Sequence, residues 1–352
     1  MALVMALNSP PPILYWTPQT TRQPAAIAMF RQSDVNRLVT VFGGSGFVGR
    51  QIVRLLCKRG YRIRVAVRRP DLIGHLQPLG RVGQIHPVQA NIRNAESVEA
   101  AVRGASVVIN LVGILFERGR QRFDTVQSYG AEQVALAASA HGARMIQISA
   151  IGADEHSASG YARSKAEGEK AVLAARPDAV IVRPSIMFGP EDDFFNKFAA
   201  MARMLPALPL VGGGHTKFQP VFVGDVAEAI ARAVDGDVKP GTAYEFGGPE
   251  VRTFKELMEF VLETVERKRF LVPLPFALAR FQAMFLQLLP KPLLTPDQVE
   301  MLKTDNIVSD SAASDGRTLE GIGIEPTAMR TIVPSYLWRF RRTGQFRTGR
   351  FA

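Results

Sequence analysis

From Leu38 onward the chain alternates short, continuous apolar runs with segments whose apolar residues recur at helical spacing. LVTVF (Leu38–Phe42), RIRVAV (Arg62–Val67), VVINLV (107–112) and the runs at 145–149 and 179–182 read as strands, and 84–90 as a shorter, more polar one. Between them Val48, Ile52, Val53, Leu55 and Leu56 mark a helix that Gly60 closes. Further helices are predicted over 96–102, 123–141 and about 161–175. The strands are apolar along their whole length, which suits burial on both faces. Strand and helix in turn at this spacing predict βαβ units, so the expected fold class is α/β, a doubly wound parallel sheet.

After Pro184 the rhythm breaks. Helices at about 194–204, 225–234 and 254–268 alternate with loops rich in glycine and proline. The expected organisation is a disordered extension over 1–36 and a first domain over 37–190, with sheet contributions from about 219–247. A smaller, mostly helical region facing a substrate or partner follows over 191–330, then a basic tail over 331–352. Residues 1–36 have scattered prolines and no basic stretch ahead of an apolar core, so no signal peptide is expected. The segment PFALARFQAMFLQLL (275–289) is strongly apolar but too short to span a bilayer; it reads either as a buried helix or as one lying in a membrane interface or on a partner.

Composition narrows the classes. Hydrophobic residues make up 47% and charged residues 21%, an ordinary globular mix. The one cysteine, Cys57, follows the apolar run 52–56 and reads as buried filler, so no disulfide framework exists within the chain. The five histidines lack metal-ligand spacing, and no metal site is expected. Asp192 and Asp193 read as a loop or helix start. Net charge is +11, and Arg330, Arg339, Arg341, Arg342, Arg347 and Arg350 stand in a C-terminal stretch without an acid. Such a tail is either solvated or suited to a negative partner, such as an anionic membrane surface or an acidic protein patch. No RNA-recognition motif is present, so no nucleic-acid partner is expected.

The most specific local signal is GGSGFVG, placed directly between the first strand and the first helix. Gly43 permits the tight turn, Gly46 lets the backbone approach a pyrophosphate, and Gly49 lets the helix pack closely on the sheet. Ser45, Phe47 and Val48 complete a cradle at the helix N-terminus, where free N–H groups and the helix dipole favour an anion. This makes the sheet Rossmann-type and the ligand a dinucleotide. At the end of the second strand, where NAD sites place a carboxylate for the ribose 2′-OH, stand Arg68 and Arg69. An arginine fork binds a 2′-phosphate instead, which points to NADP(H).

With these stand Asn91 after the third strand, VVINLVG carrying Val112 and Gly113, and Tyr161-Ala-Arg-Ser-Lys165. RPSIMFGP with Pro184 and QPVFVGDVAEAI follow. Over about 38–268 the chain resembles the short-chain dehydrogenase/reductases of the atypical or extended kind. VRRP, INLVGILFE, ISAIGA and YLWRFRRTGQF look, more closely, like the bacterial relatives of the 39-kilodalton accessory subunit of respiratory complex I. That resemblance implies a bound NADPH, partners among the complex I subunits, and a peripheral place on the cytoplasmic face of the bacterial inner membrane.

The family likeness also implies a catalytic set. Lys165 would hold the nicotinamide ribose and lower the pKa of Tyr161, the acid/base, while Ser149 would orient a carbonyl. Extended members carry a further hydroxyl one or two places on, where this chain has Ala150 and Ile151. Two readings follow: an accessory subunit whose cofactor is mainly structural, or an active NADP-dependent reductase, epimerase or dehydratase acting on a carbonyl or nucleotide-sugar substrate.

Overall fold

A computed structural model of the chain describes residues 37–290 and 292–344. The extension expected over 1–36 and the end of the expected tail, with Arg347 and Arg350, lie outside the described residues. The first half runs β1 (Leu38–Phe42), α1 (Phe47–Lys58), β2 (Arg62–Val67), β3 (Ile85–Gln89), α2 (Ala95–Val102), β4 (Val107–Asn110), α3 (Tyr129–Ala140), β5 (Arg144–Ile148), α4 (Gly160–Ala175) and β6 (Val180–Pro184). The second half continues with β7 (Met187–Phe188), α5 (Phe194–Met204), β8 (Ala207–Val211), β9 (Lys217–Phe218), β10 (Val221–Phe222), α6 (Val223–Asp235), β11 (Ala243–Phe246), β12 (Arg252–Thr253) and α7 (Phe254–Thr264). It ends with β13 (Phe270–Leu274), α8 (Phe276–Leu286), α9 (Pro296–Met301), α10 (Asp310–Ser314), α11 (Met329–Ile332) and α12 (Pro334–Leu337).

Seven strands form one parallel sheet in the order β11-β6-β5-β4-β1-β2-β3. Both faces are covered, as the continuous apolar strands require. One core layer joins β1 and β2 to Ile52, Val53 and Leu56 of α1 and to Val226 and Ile230 of α6. The other joins Val108 and Met145 to Val98, Val134 and Val172 on α2, α3 and α4. The predicted helix over 123–141 begins with a π-helical turn at Asp124–Ser128 before α3. Of the stretch 219–247, β11 adds the seventh strand, α6 packs beside α1, and Leu319 and Ile324 are buried in that same layer.

The smaller lobe packs α5 and α7 around a phenylalanine-rich core holding Phe188, Phe195 and Phe254. Met329, Val333, Tyr336, Leu337 and Phe340 are buried in it. The first part of the expected basic tail is therefore folded: its apolar residues fill the core while its arginines lie along the rim. Arg330 stacks on Phe260 at 5.6 Å, Arg341 donates to the Thr264 carbonyl, and Arg339 donates to Asn196 Oδ1. The buried-helix alternative for the apolar segment is overturned. On α8 only Ala279 and Ala283 are buried, and Leu278, Phe281, Met284 and Phe285 face outward. Among the described residues no helix is long and apolar enough to cross a membrane.

Candidate dinucleotide site

The strand order reverses between β1 and β4, which opens a crevice beyond their carboxyl ends. The turn after β1 enters it. Gly43 has φ +76°, a backbone that side-chain-bearing residues rarely adopt, and its carbonyl accepts from Gly46 N–H at 3.0 Å. α1 then starts with no acid in its first turn and no side-chain cap, whereas Asn94 and Ser159 cap α2 and α4. Its first N–H groups and positive dipole end are thus presented to the crevice, which suits a pyrophosphate. Arg50 braces the turn: Nε donates to the Ser45 carbonyl at 3.1 Å and Nη1 pairs with Glu191 at 2.7 Å.

Arg68 and Arg69 follow β2 at the rim. Arg69 is bound to Asp71, through Nε at 3.0 Å and Nη2 at 2.8 Å, on an exposed surface. Arg68 has no such partner among the described residues and is the freer of the two for a phosphate. Asn91, past β3, closes a local turn by accepting from Arg93 N–H at 3.2 Å. At the end of β4, Asn110 Oδ1 accepts from Val112 N–H, and a side chain on Gly113 would begin 3.2 Å from Lys165 Nζ. Gly113 and the Lys165 ammonium are therefore packed close together. Pro184 ends β6.

α4 presents Tyr161 and Lys165 from one face, with the ammonium 5.8 Å from the phenol ring centre. Phe123 meets the tyrosine edge-on at 5.8 Å. Ser149, just past β5, has a buried Oγ without a partner, and so does Gln127 at Oε1; Gln127 Nε2 donates to the Ile114 carbonyl. A buried orphan costs about 1–3 kcal/mol. The Gln127 oxygen lies close to Gly113, beside Lys165, where a ligand carrying hydroxyl or amide groups would satisfy it. Burial, with the Asp297 carboxylate adding to it, pushes the Tyr161 phenol up to about 12, and burial pushes Lys165 down to about 8. In this arrangement Tyr161 holds its proton at neutral pH.

Asp297 accounts for part of that. From α9 it accepts from Gly160 N–H at 2.6 Å, Tyr161 N–H at 3.3 Å and the Ser159 hydroxyl at 2.9 Å, so the smaller lobe clasps the first turn of α4. Neither Gln127 nor Asp297 was legible in the sequence. A glutamine in a helix and an aspartate after a proline carry no local mark, since their partners lie far away in the chain. An open cavity of about 710 Å³ lies elsewhere. It is lined by Phe116, Arg163, Arg280, Asp297 and Lys303 on the outer side of α4, and Ser149, Tyr161 and Lys165 do not line it.

Comparison with known proteins agrees with this architecture. Residues 39–247 match the model of the NAD dependent epimerase/dehydratase family. The chain is 38% identical over 327 residues to "NADH dehydrogenase [ubiquinone] 1 alpha subcomplex subunit 9, mitochondrial" of Arabidopsis thaliana, covering 89% of this chain and 80% of that protein. A ceramide reductase of Caulobacter vibrioides is 37% identical over 179 residues, 51% of this chain and 55% of that protein. Among solved structures, an NADPH-dependent quinone oxidoreductase of Escherichia coli complexed with NADPH superposes with a TM-score of 0.67 at 20% identity, covering 85% of this chain and 99% of that one. That likeness speaks for the fold alone.

Proposed function

The chain belongs to the NAD dependent epimerase/dehydratase family, and from that footing we propose that it is an NADP(H)-holding accessory subunit of respiratory complex I. Its place is peripheral, at the cytoplasmic face of a bacterial inner membrane, against neighbouring complex I subunits. The observation that supports this most is α8. Leu278, Phe281 and Phe285 recur at helical spacing on its outward side, with Met284 beside them and the exposed Leu288 just past its end, while two alanines face in. Phe281 and Phe285 are 59% and 60% exposed, and Phe270 on the neighbouring β13 is 77% exposed. Contiguous apolar surface of this kind is the mark of a docking face. Arg280 on α8 itself, and Arg267, Lys268 and Arg269 just before β13, would sit beside anionic headgroups.

Extraction of native membranes in mild detergent tests the reading, with the protein expected to co-migrate with the complex. Phe281→Asp combined with Phe285→Asp is expected to shift most of it to the free fraction while NADPH binding stays at the parent level. A parent protein that is wholly free and monomeric would sink the reading.

The cofactor's role here is to hold the fold. A ligand at a thousandfold excess over its dissociation constant stabilises the native state by about 4 kcal/mol. Its pyrophosphate would lie on Gly46, Phe47, Val48 and Gly49 with Ser45, its nicotinamide ribose on Lys165, and its nicotinamide near Val112, Gly113 and Pro184. The group would supply a hydride donor or acceptor, while the residues around it bind and orient. Arg68 would meet the 2′-phosphate. Arg68→Ala is expected to lose about 1.5–3 kcal/mol of NADPH affinity, the worth of a charge-assisted hydrogen bond, and nothing for NADH. Titration of both cofactors checks it; equal affinities in the parent protein would remove the assignment.

A second reading, an active NADP-dependent reductase, is favoured by the Tyr161–Lys165 pair and by the match to a reductase. In it Tyr161 gives its proton to a carbonyl oxygen that Ser149 orients. It predicts an NADPH oxidation that Tyr161→Phe abolishes in the purified protein.

A further inference from the structure

We propose that Tyr336, in α12, is a positioning residue for the dinucleotide site, acting through the buried carboxylate of Asp192. The inference rests on the reading of the glycine turn as the pyrophosphate cradle. Between β7 and α5 the loop 189–193 stands with one side against that cradle and the other against the C-terminal segment. Asp192 is only 3% exposed and accepts four hydrogen bonds. Oδ1 takes Phe195 N–H at 2.7 Å and Asn196 N–H at 3.2 Å; Oδ2 takes Gly189 N–H at 3.2 Å and the Tyr336 hydroxyl at 2.5 Å. Both oxygens are thus shared between the loop, the first turn of α5 and the C-terminal segment, and Arg339 reinforces the tie through Asn196 Oδ1 and the Pro190 carbonyl.

The loop's other side reaches the cradle by two routes. Glu191 pairs with Arg50, whose Nε also holds the Ser45 carbonyl. Gly189 lies against the ring of Phe47, close enough that a side chain there would begin 3.2 Å from the ring edge. Phe47 is the first residue of α1, so its position sets where the phosphate-facing N–H groups point. Without the Tyr336 hydroxyl, Oδ2 keeps Gly189 N–H as its one donor. A buried carboxylate left short of donors either takes up a proton or draws in water, and both loosen the loop.

Tyr336→Phe keeps the ring in the core and removes only the hydroxyl. It is expected to weaken NADPH binding about fivefold and to speed its release, the scale of one buried hydrogen bond felt at second hand. Val333→Ala, in the same core at 0% exposure and outside these contacts, is the structural control: it should lower the melting temperature and leave NADPH affinity unchanged. Asp192→Asn, which disturbs the other bonds to that carboxylate as well, should weaken binding at least as much, and adding Tyr336→Phe to it should change little further, because the tyrosine acts only through that carboxylate. Parent-like affinity in Tyr336→Phe, or additive losses in the double variant, would overturn the proposal. The cradle itself is checked by Gly46→Val. If that variant binds NADPH like the parent, the site reading fails, and this inference with it. If it does not bind, the Tyr336 result stands on its own.

Discussion

Ending the chain at Ala328 is expected to unfold the smaller lobe, and not merely to free the protein from a partner. Met329, Val333, Tyr336, Leu337 and Phe340 are each 9% exposed or less and complete the core around Phe195 and Phe254. Burying a large apolar side chain stabilises by about 1.5–3 kcal/mol. Even halved for residual compactness of the unfolded chain, five of them amount to several kcal/mol, against a total stability on the order of 5–15 kcal/mol. The truncation also strips Tyr336 from Asp192 and Arg341 from the Thr264 carbonyl. Soluble yield and thermal melting followed by circular dichroism are the measurements. A truncated protein melting within a few degrees of the parent would show that the segment is dispensable.

Gly49→Ala should be nearly as severe, for a different reason. A methyl group there would begin 2.5 Å from the Gly43 carbonyl oxygen and 2.6 Å from the Gly44 backbone. The obstructing atoms are main chain, with no flexible side-chain end to swing aside, so α1 must be pushed off the sheet. Overpacking typically costs about 1–3 kcal/mol and occasionally more; with backbone on the receiving side the upper end is expected. The displacement moves the N–H groups that face the pyrophosphate. We expect a loss of about a hundredfold or more in NADPH affinity, read by titrating NADPH fluorescence, together with a lower melting temperature. An affinity within about threefold of the parent would show that the helix does not approach the sheet as described.

The contrast between these two variants marks what a one-dimensional reading recovers. Gly49 announces itself, since the triplet falls between a strand and a helix and each glycine has a local steric task. Residues 336–340 do not. Their apolar side chains are interleaved with Arg339 and Arg341, so composition reads as basic while the contacts are those of a core. α8 shows a second limit. Periodicity places Phe281 and Phe285 on one face, but it does not say whether that face turns inward, because that depends on what the rest of the fold leaves uncovered. The pairs Asp192 with Tyr336 and Asp297 with Tyr161 join residues brought together only by tertiary packing, for which neither partner carries a local signal.

The late arrival of β11 and α6 bears on how the protein is made. As the nascent chain leaves the ribosome, β1 to β6 emerge first, yet α1 has no α6 to lie against and β6 lacks its outer neighbour until residues near Phe246 follow. Leu319 and Ile324 come later still. For that interval an open strand edge and one greasy face of a half-built sheet are accessible to other nascent chains. Long-range closure of this kind is slow relative to local helix formation, so biogenesis is expected to lean on holding chaperones until translation is nearly finished.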